Sequence, residues 1–212
     1  MDGNRILDSI APFVALARDP YMKFYEDCNQ PQAYVEILNQ TWFYVRETVP
    51  TISAVAMSLA PGEIRNNLLI RASEEKGHDQ MLLEDLAAVG LSPKLGFSPH
   101  LEIFVSLEKN LKSSAHPASE LYGHISFLEC WPASFKWAGK MAQHFGVPEA
   151  ATRTFRLHAI EDCSHRKSAI KEFQHPDLHA PTIVRSAATV AKIFARHWTW
   201  MNNSYSYSSI IE

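Results

Sequence analysis

Apolar residues recur at three- and four-residue spacing over most of the chain, and runs that alternate apolar with polar residues are few. That pattern predicts helices rather than strands. Seven can be drawn, over about 4–17, 31–59, 61–89, 99–113, 117–145, 148–173 and 181–206. In the second, Tyr34, Ile37, Leu38, Trp42 and Val45 form one apolar stripe. Pro50 lies inside it and should kink it, because proline lacks the helical N–H and its ring presses on the preceding turn. Pro61 suits a first helical position and Gly90 a helix stop. Pro132 sits inside the fifth helix, and Pro148 and Pro181 open the last two. Several of these helices exceed 25 residues. Such lengths suit a bundle whose site is built from inward-facing side chains. The closing residues NNSYSYSSIIE are polar enough to fray.

Composition agrees with an all-α class. Eight glycines in 212 residues are too few for the tight turns of a multi-stranded sheet. A hydrophobic fraction of 46% with 20% charged residues excludes a disordered or collagen-like chain. The length is that of one domain, 1–212. A net charge of −3, a pI near 6.4 and the lack of a basic stripe argue against a nucleic-acid partner. No apolar stretch reaches about 18 residues, so no membrane span is expected. Cys28, Cys130 and Cys163 form neither a disulfide framework nor a CxxC motif. The first residues lack a signal-peptide pattern, and a cytosolic address is expected.

The oddity is histidine, with 10 residues. Three of them carry chemistry. His158, Asp162 and His165 stand at i, i+4 and i+7 of the sixth helix, within about 60° of one another. The stripe they share continues through Phe155, Ala169 and Phe173, so three ligand-type groups interrupt an apolar seam. Buried without partners they would be costly. Imidazole nitrogen and carboxylate oxygen together suit iron, manganese or zinc. Glu161 shares the face geometrically, but the apolar stripe runs through Asp162, which is preferred. On the third helix Glu75 and His78 form an ExxH pair, the i, i+3 pair used by carboxylate-bridged dimetal bundles; Glu74 competes with Glu75. Glu129, in line with Tyr122 and Ile125, sits in a strongly apolar stretch, and glutamate is rarely buried without a partner. Glu75, Glu129 and Asp162 with His78, His158 and His165 make six ligands, enough for two metals. Phe127, Trp131, Phe155 and Trp198 would line a place for an aliphatic or aromatic small molecule.

This arrangement resembles the heme-oxygenase-like diiron oxidases, within the superfamily of the TenA thiaminases and the oxidase of pyrroloquinoline quinone synthesis (TenA/PqqC-like). The resemblance runs from about Tyr34 to about Phe173. It implies a seven-helix heme-oxygenase-like bundle, often a homodimer. The implied cofactor is two Fe(II) ions, or a manganese/iron pair, with dioxygen as co-substrate. By position His158, Asp162 and His165 match the family's last three ligands, Glu129 its central glutamate and His78 its third-helix histidine. In some members the first glutamate lies further upstream, where this chain has Arg71 or Leu68. The implied activity is oxidation of a small amino acid, fatty acid or other carboxylate or amine, with Tyr122 as a supporting or redox-active residue.

Two rivals stand beside it. A metal-free TenA-type thiaminase would use Cys130 as an activated nucleophile. A non-catalytic helical protein could store metal or bind a tetrapyrrole; haem oxygenases place their proximal histidine near the chain start, and none of the histidines here precedes His78. The other seven histidines read as solvated rings or as cations near helix ends, and His124, facing about 140° away from Glu129, is not enlisted.

Overall fold

The computed structural model describes residues 2–129 and 138–208. Among them there is no strand. Helix α1 spans Gly3–Asp27, α2 Pro31–Val45, α3 Thr48–Ser58, α4 Glu63–Glu74 and α5 His78–Val89. Helix α6 spans Pro99–Asn110, α7 Pro117–Glu129, α8 Arg153–Glu172 and α9 Ala180–Ser208. A short helical segment lies at Met141–Phe145, and 3-10 turns at Leu111–Ser113 and Glu149–Thr152. No helix among the described residues is long and apolar enough to cross a membrane.

The all-α expectation holds, but two of the long helices divide. The 31–59 segment breaks at Arg46–Glu47, before Pro50 rather than at it. The reason is local. A proline at 50 offers no N–H to the Arg46 carbonyl and its ring collides with it, so Pro50 settles into the first turn of a new helix, where no donor is needed. The 61–89 segment breaks at Gly77, which adopts φ +95°, a left-handed conformation that favours glycine. Gly90 closes α5 in the left-handed region, as expected. Conversely, α1, which already contains Pro12, runs ten residues past its predicted end, through Pro20. Two interior prolines are expensive in an isolated helix. Here Ala17, Tyr21 and Phe24 continue the buried stripe against α9, and the Pro20 carbonyl also accepts a bond from Asn202 Nδ2 at 2.8 Å.

Helix α9 is the central element, packed against α1, α6 and α7. Two apolar clusters form around it. One gathers Ile6, Ile10, Leu68, Phe104 and Val190; the other gathers Phe24, Tyr34, Phe145 and Met201. His197 of α9 is 1% exposed among Phe194, Trp198 and Trp200, and its Nδ1 has no hydrogen-bond partner among the described residues. Burial, aided by His100, pushes its pKa down to about 3. The folded chain therefore refuses a proton that the unfolded chain accepts below its ordinary value near 6.5. This stability is full above pH 6.5 and falls as pH drops toward 3. At pH 5 the loss amounts to about 2 kcal/mol. Urea unfolding at pH 7 and pH 5 checks it: the wild type should lose about 2 kcal/mol more than His197→Leu, and equal losses would refute the assignment.

Candidate metal centre

Glu75 is the C-cap of α4 and His78 the first residue of α5, so the ExxH pair spans a helix break instead of riding one continuous helix. It still closes. The His78 N–H bonds the Glu75 carbonyl at 3.3 Å, and His78 Nδ1 lies 2.9 Å from Glu75 Oε2. From α8, His158 comes beside them, its ring centroid 4.7 Å from that of His78. One donor atom from each of Glu75, His78 and His158 falls within 4.8 Å of the others. Adjacent donors around a single ion stand about 3–3.5 Å apart, so the trio would draw in by about an ångström to hold one. His158 Nδ1 is 2.9 Å from the Thr154 carbonyl. A carbonyl only accepts, so Nδ1 carries the proton and Nε2 is left with a free lone pair, the form a metal takes.

The remaining predicted residues lie around this trio. Asp162 is buried, and burial followed by the Glu75 and Glu161 charges pushes its carboxyl up to about 7. Glu161, the alternative to Asp162, is one-third exposed, with Oε2 3.7 Å from His78 Nε2. Glu129 is bonded to the Arg71 guanidinium and also lies 3.5 Å from His165 Nδ1. Burial raises the Glu129 carboxyl, and Asp162, Glu75 and Glu172 add to it, while the Arg71 guanidinium bonded to it opposes them and favours its charged form. Glu75 goes the other way. Burial alone would raise it, but the His78 hydrogen bond and the nearby His158, His78 and His165 rings hold it below the usual carboxylate range. That same bond raises His78, whereas burial and then Arg71 lower His165. Glu74 is half exposed, 3.6 Å from His165 Nε2, so of the two adjacent glutamates it is Glu75 that meets His78 and His158. Tyr122 is fully buried near Glu172 and Arg71 but does not line the cavity described next.

A cavity of about 190 Å³ opens onto the cluster. Glu75, Glu129, His158, Asp162 and Arg71 form its polar end. Ile37, Ile52, Phe127, Phe155, Phe194 and Trp198 form apolar walls, drawn from both core clusters or packed against them. Phe127, Phe155 and Trp198 thus stand where the sequence placed them, while Cys130, Trp131 and Pro132 lie outside the described residues. The excluded His124 is a core histidine, Nδ1 3.1 Å from Glu108 Oε1.

An iron ion fits these residues. Two carboxyls that burial and mutual repulsion push upward mark a cluster short of positive charge. Glu129 Oε2 and Glu161 Oε2 are buried without a hydrogen-bond partner among the described residues. Two imidazoles and one carboxylate converging on one point are the donor set of non-haem ferrous oxygenases.

Three features escaped the sequence reading. Arg71 pairs with Glu129; its position one turn before Glu75 was the available signal. Tyr44 of α2 lines the cavity, and its hydroxyl pKa is pushed up to about 12, first by burial and then by the Asp162 and Glu108 charges, against a lowering bond with Thr41. Asp85 bonds the Thr154 N–H at 2.9 Å beneath His158. The last two join segments remote in sequence, and no local pattern announces them.

A domain of unknown function with a heme oxygenase-like fold, from Shewanella denitrificans OS217, has a similar crystal structure. The likeness covers 98% of this chain and 91% of that one, with a TM-score of 0.74 and 16% identity, and at that identity it establishes the fold alone. No curated protein matches the chain. A family model described as "iron-containing redox enzyme" matches residues 35–196, a span from α2 into α9 that takes in the whole cluster, and the chain belongs to that family.

Proposed function

We propose that the protein is a non-haem iron oxidase or oxygenase that uses dioxygen to oxidise a small organic substrate, an amino acid, a fatty acid or another carboxylate or amine. The observation that carries this reading is the convergence of Glu75, His78 and His158, with Glu75 and His158 lining an apolar cavity. These three would hold iron, with Asp162 beside them. Iron there would supply the electrons and the open positions that dioxygen chemistry requires. The protein supplies the rest. The Thr154 carbonyl fixes the His158 tautomer. The apolar walls exclude water and hold the hydrocarbon part of a substrate against the polar end. Tyr122, buried near Arg71 and Glu172 outside the cavity, would act as a supporting or redox-active residue. Were a second ion, iron or manganese, held as well, Glu129, Asp162 and His165 would be its donors. The reading includes assembly as a cytosolic homodimer, which sedimentation checks as twice the 24.0 kDa chain mass.

The test is anaerobic titration with Fe(II) and metal analysis after gel filtration. Wild-type protein should bind iron, and Glu75→Ala or His158→Ala should weaken binding by about 100-fold or more. Substrate-triggered dioxygen uptake by the loaded protein then separates an enzyme from a metal store. Wild type binding no more iron than His158→Ala would sink the proposal.

A further inference from the structure

The six predicted ligands do not form one group. Glu75, His78 and His158 meet donor to donor. Glu129 and His165 meet a side chain that is already a cation: Arg71 Nη1 is bonded to Glu129 Oε1, and the His165 ring faces that same oxygen at 3.5 Å. Arg71 is 5% exposed, and its Nη2 lies 3.7 Å from Glu172 Oε2. A guanidinium cannot shed its proton in a protein.

We propose, on the reading that this is an iron centre, that it holds a single iron per chain because the Arg71 guanidinium stands as the second cation beside Glu129 and His165. A divalent ion bound to Glu129 would face a fixed positive charge on the same carboxylate. Expelling Arg71 would strand a buried guanidinium away from both of its acids, an arrangement interiors do not tolerate. One ion answers the acids that Arg71 does not face. Glu75 and Asp162 match the two charges of ferrous iron, and Glu129 is matched by Arg71. Glu172 shares that arginine, and Glu161, one-third exposed as a side chain, turns its buried Oε2 toward His78 at 3.7 Å. Glu129 and His165 are then positioning residues that hold Arg71 and the polar end of the cavity, and the metal rests on two imidazoles and a carboxylate.

The experiment is iron stoichiometry on the full chain, loaded anaerobically with excess Fe(II), together with the paramagnetic resonance of its nitric oxide adduct. Wild type should hold about one iron per chain, with the full-intensity signal of an isolated high-spin ferrous nitrosyl. Glu129→Gln and His165→Ala should keep both the ratio and the signal; His158→Ala should lose both. Arg71→Gln should raise the ratio toward about two, because the fixed charge is gone. Should that variant not fold, the other three decide. About two irons per wild-type chain, falling by half in His165→Ala, overturns the single-iron inference and leaves the iron enzyme standing. No iron above the His158→Ala level overturns both.

Discussion

Replacing Asp85 by alanine should cost about 2–3 kcal/mol of stability and weaken iron binding by roughly 10-fold or more. Asp85 on α5 is fully buried. One carboxylate oxygen accepts the Thr154 N–H at 2.9 Å, and the other accepts from Arg153 Nε at 3.2 Å. Those donors lie in the first turn of α8, where backbone N–H groups have no helical partner and the helix dipole favours an anion. The Thr154 carbonyl in turn receives the proton of His158 Nδ1. Loss of the carboxylate therefore orphans a buried donor and lets the helix end carrying His158 drift from Glu75 and His78. Asp85→Asn keeps an acceptor for Thr154 and should recover most of both losses. Urea unfolding and iron titration of the two variants check this. Unchanged iron affinity in Asp85→Ala would show that α8 is positioned by other contacts.

Replacing Glu129 by alanine should cost about 3–5 kcal/mol, the loss typical of breaking a buried ion pair from one side. Arg71 would keep its charge inside the bundle with only Glu172, 3.7 Å away, to answer it. Removing both charges avoids that penalty, so Arg71→Leu combined with Glu129→Leu should be markedly more stable than Glu129→Ala. Denaturant midpoints for the two variants and wild type, all metal-free, make the comparison. A loss below about 1 kcal/mol for Glu129→Ala would mean that water or another group already answers Arg71.

Local rules settled whatever one helix contains. The bearings of His158, Asp162 and His165 follow from 100° per residue, and the described structure puts Asp162, His165, Ala169 and Phe173 on the buried side of α8. The all-α class, the Gly90 stop and most helix starts were legible for the same reason: propensity and periodicity act over a few residues. The break at Gly77 was less so, because a glycine within an apolar period reads equally as a tolerated helical residue. The closing of the Glu75–His78 pair across that break depends on the left-handed backbone it permits.

What the amino-acid sequence determined by itself, then, is a helical chain with inward stripes that carry acids and histidines at 75, 78, 129, 158, 162 and 165. Only the tertiary structure decided how those stripes meet. It joins His158 to Glu75 and His78 from a helix about 80 residues away in sequence. It seats Arg71 on Glu129, and it ties Asp85 to the start of α8. The physical reason is that helical periodicity sets only the direction in which a side chain leaves its own axis. Which charge it meets there is set by the packing of whole helices, through contacts between segments that no local pattern links.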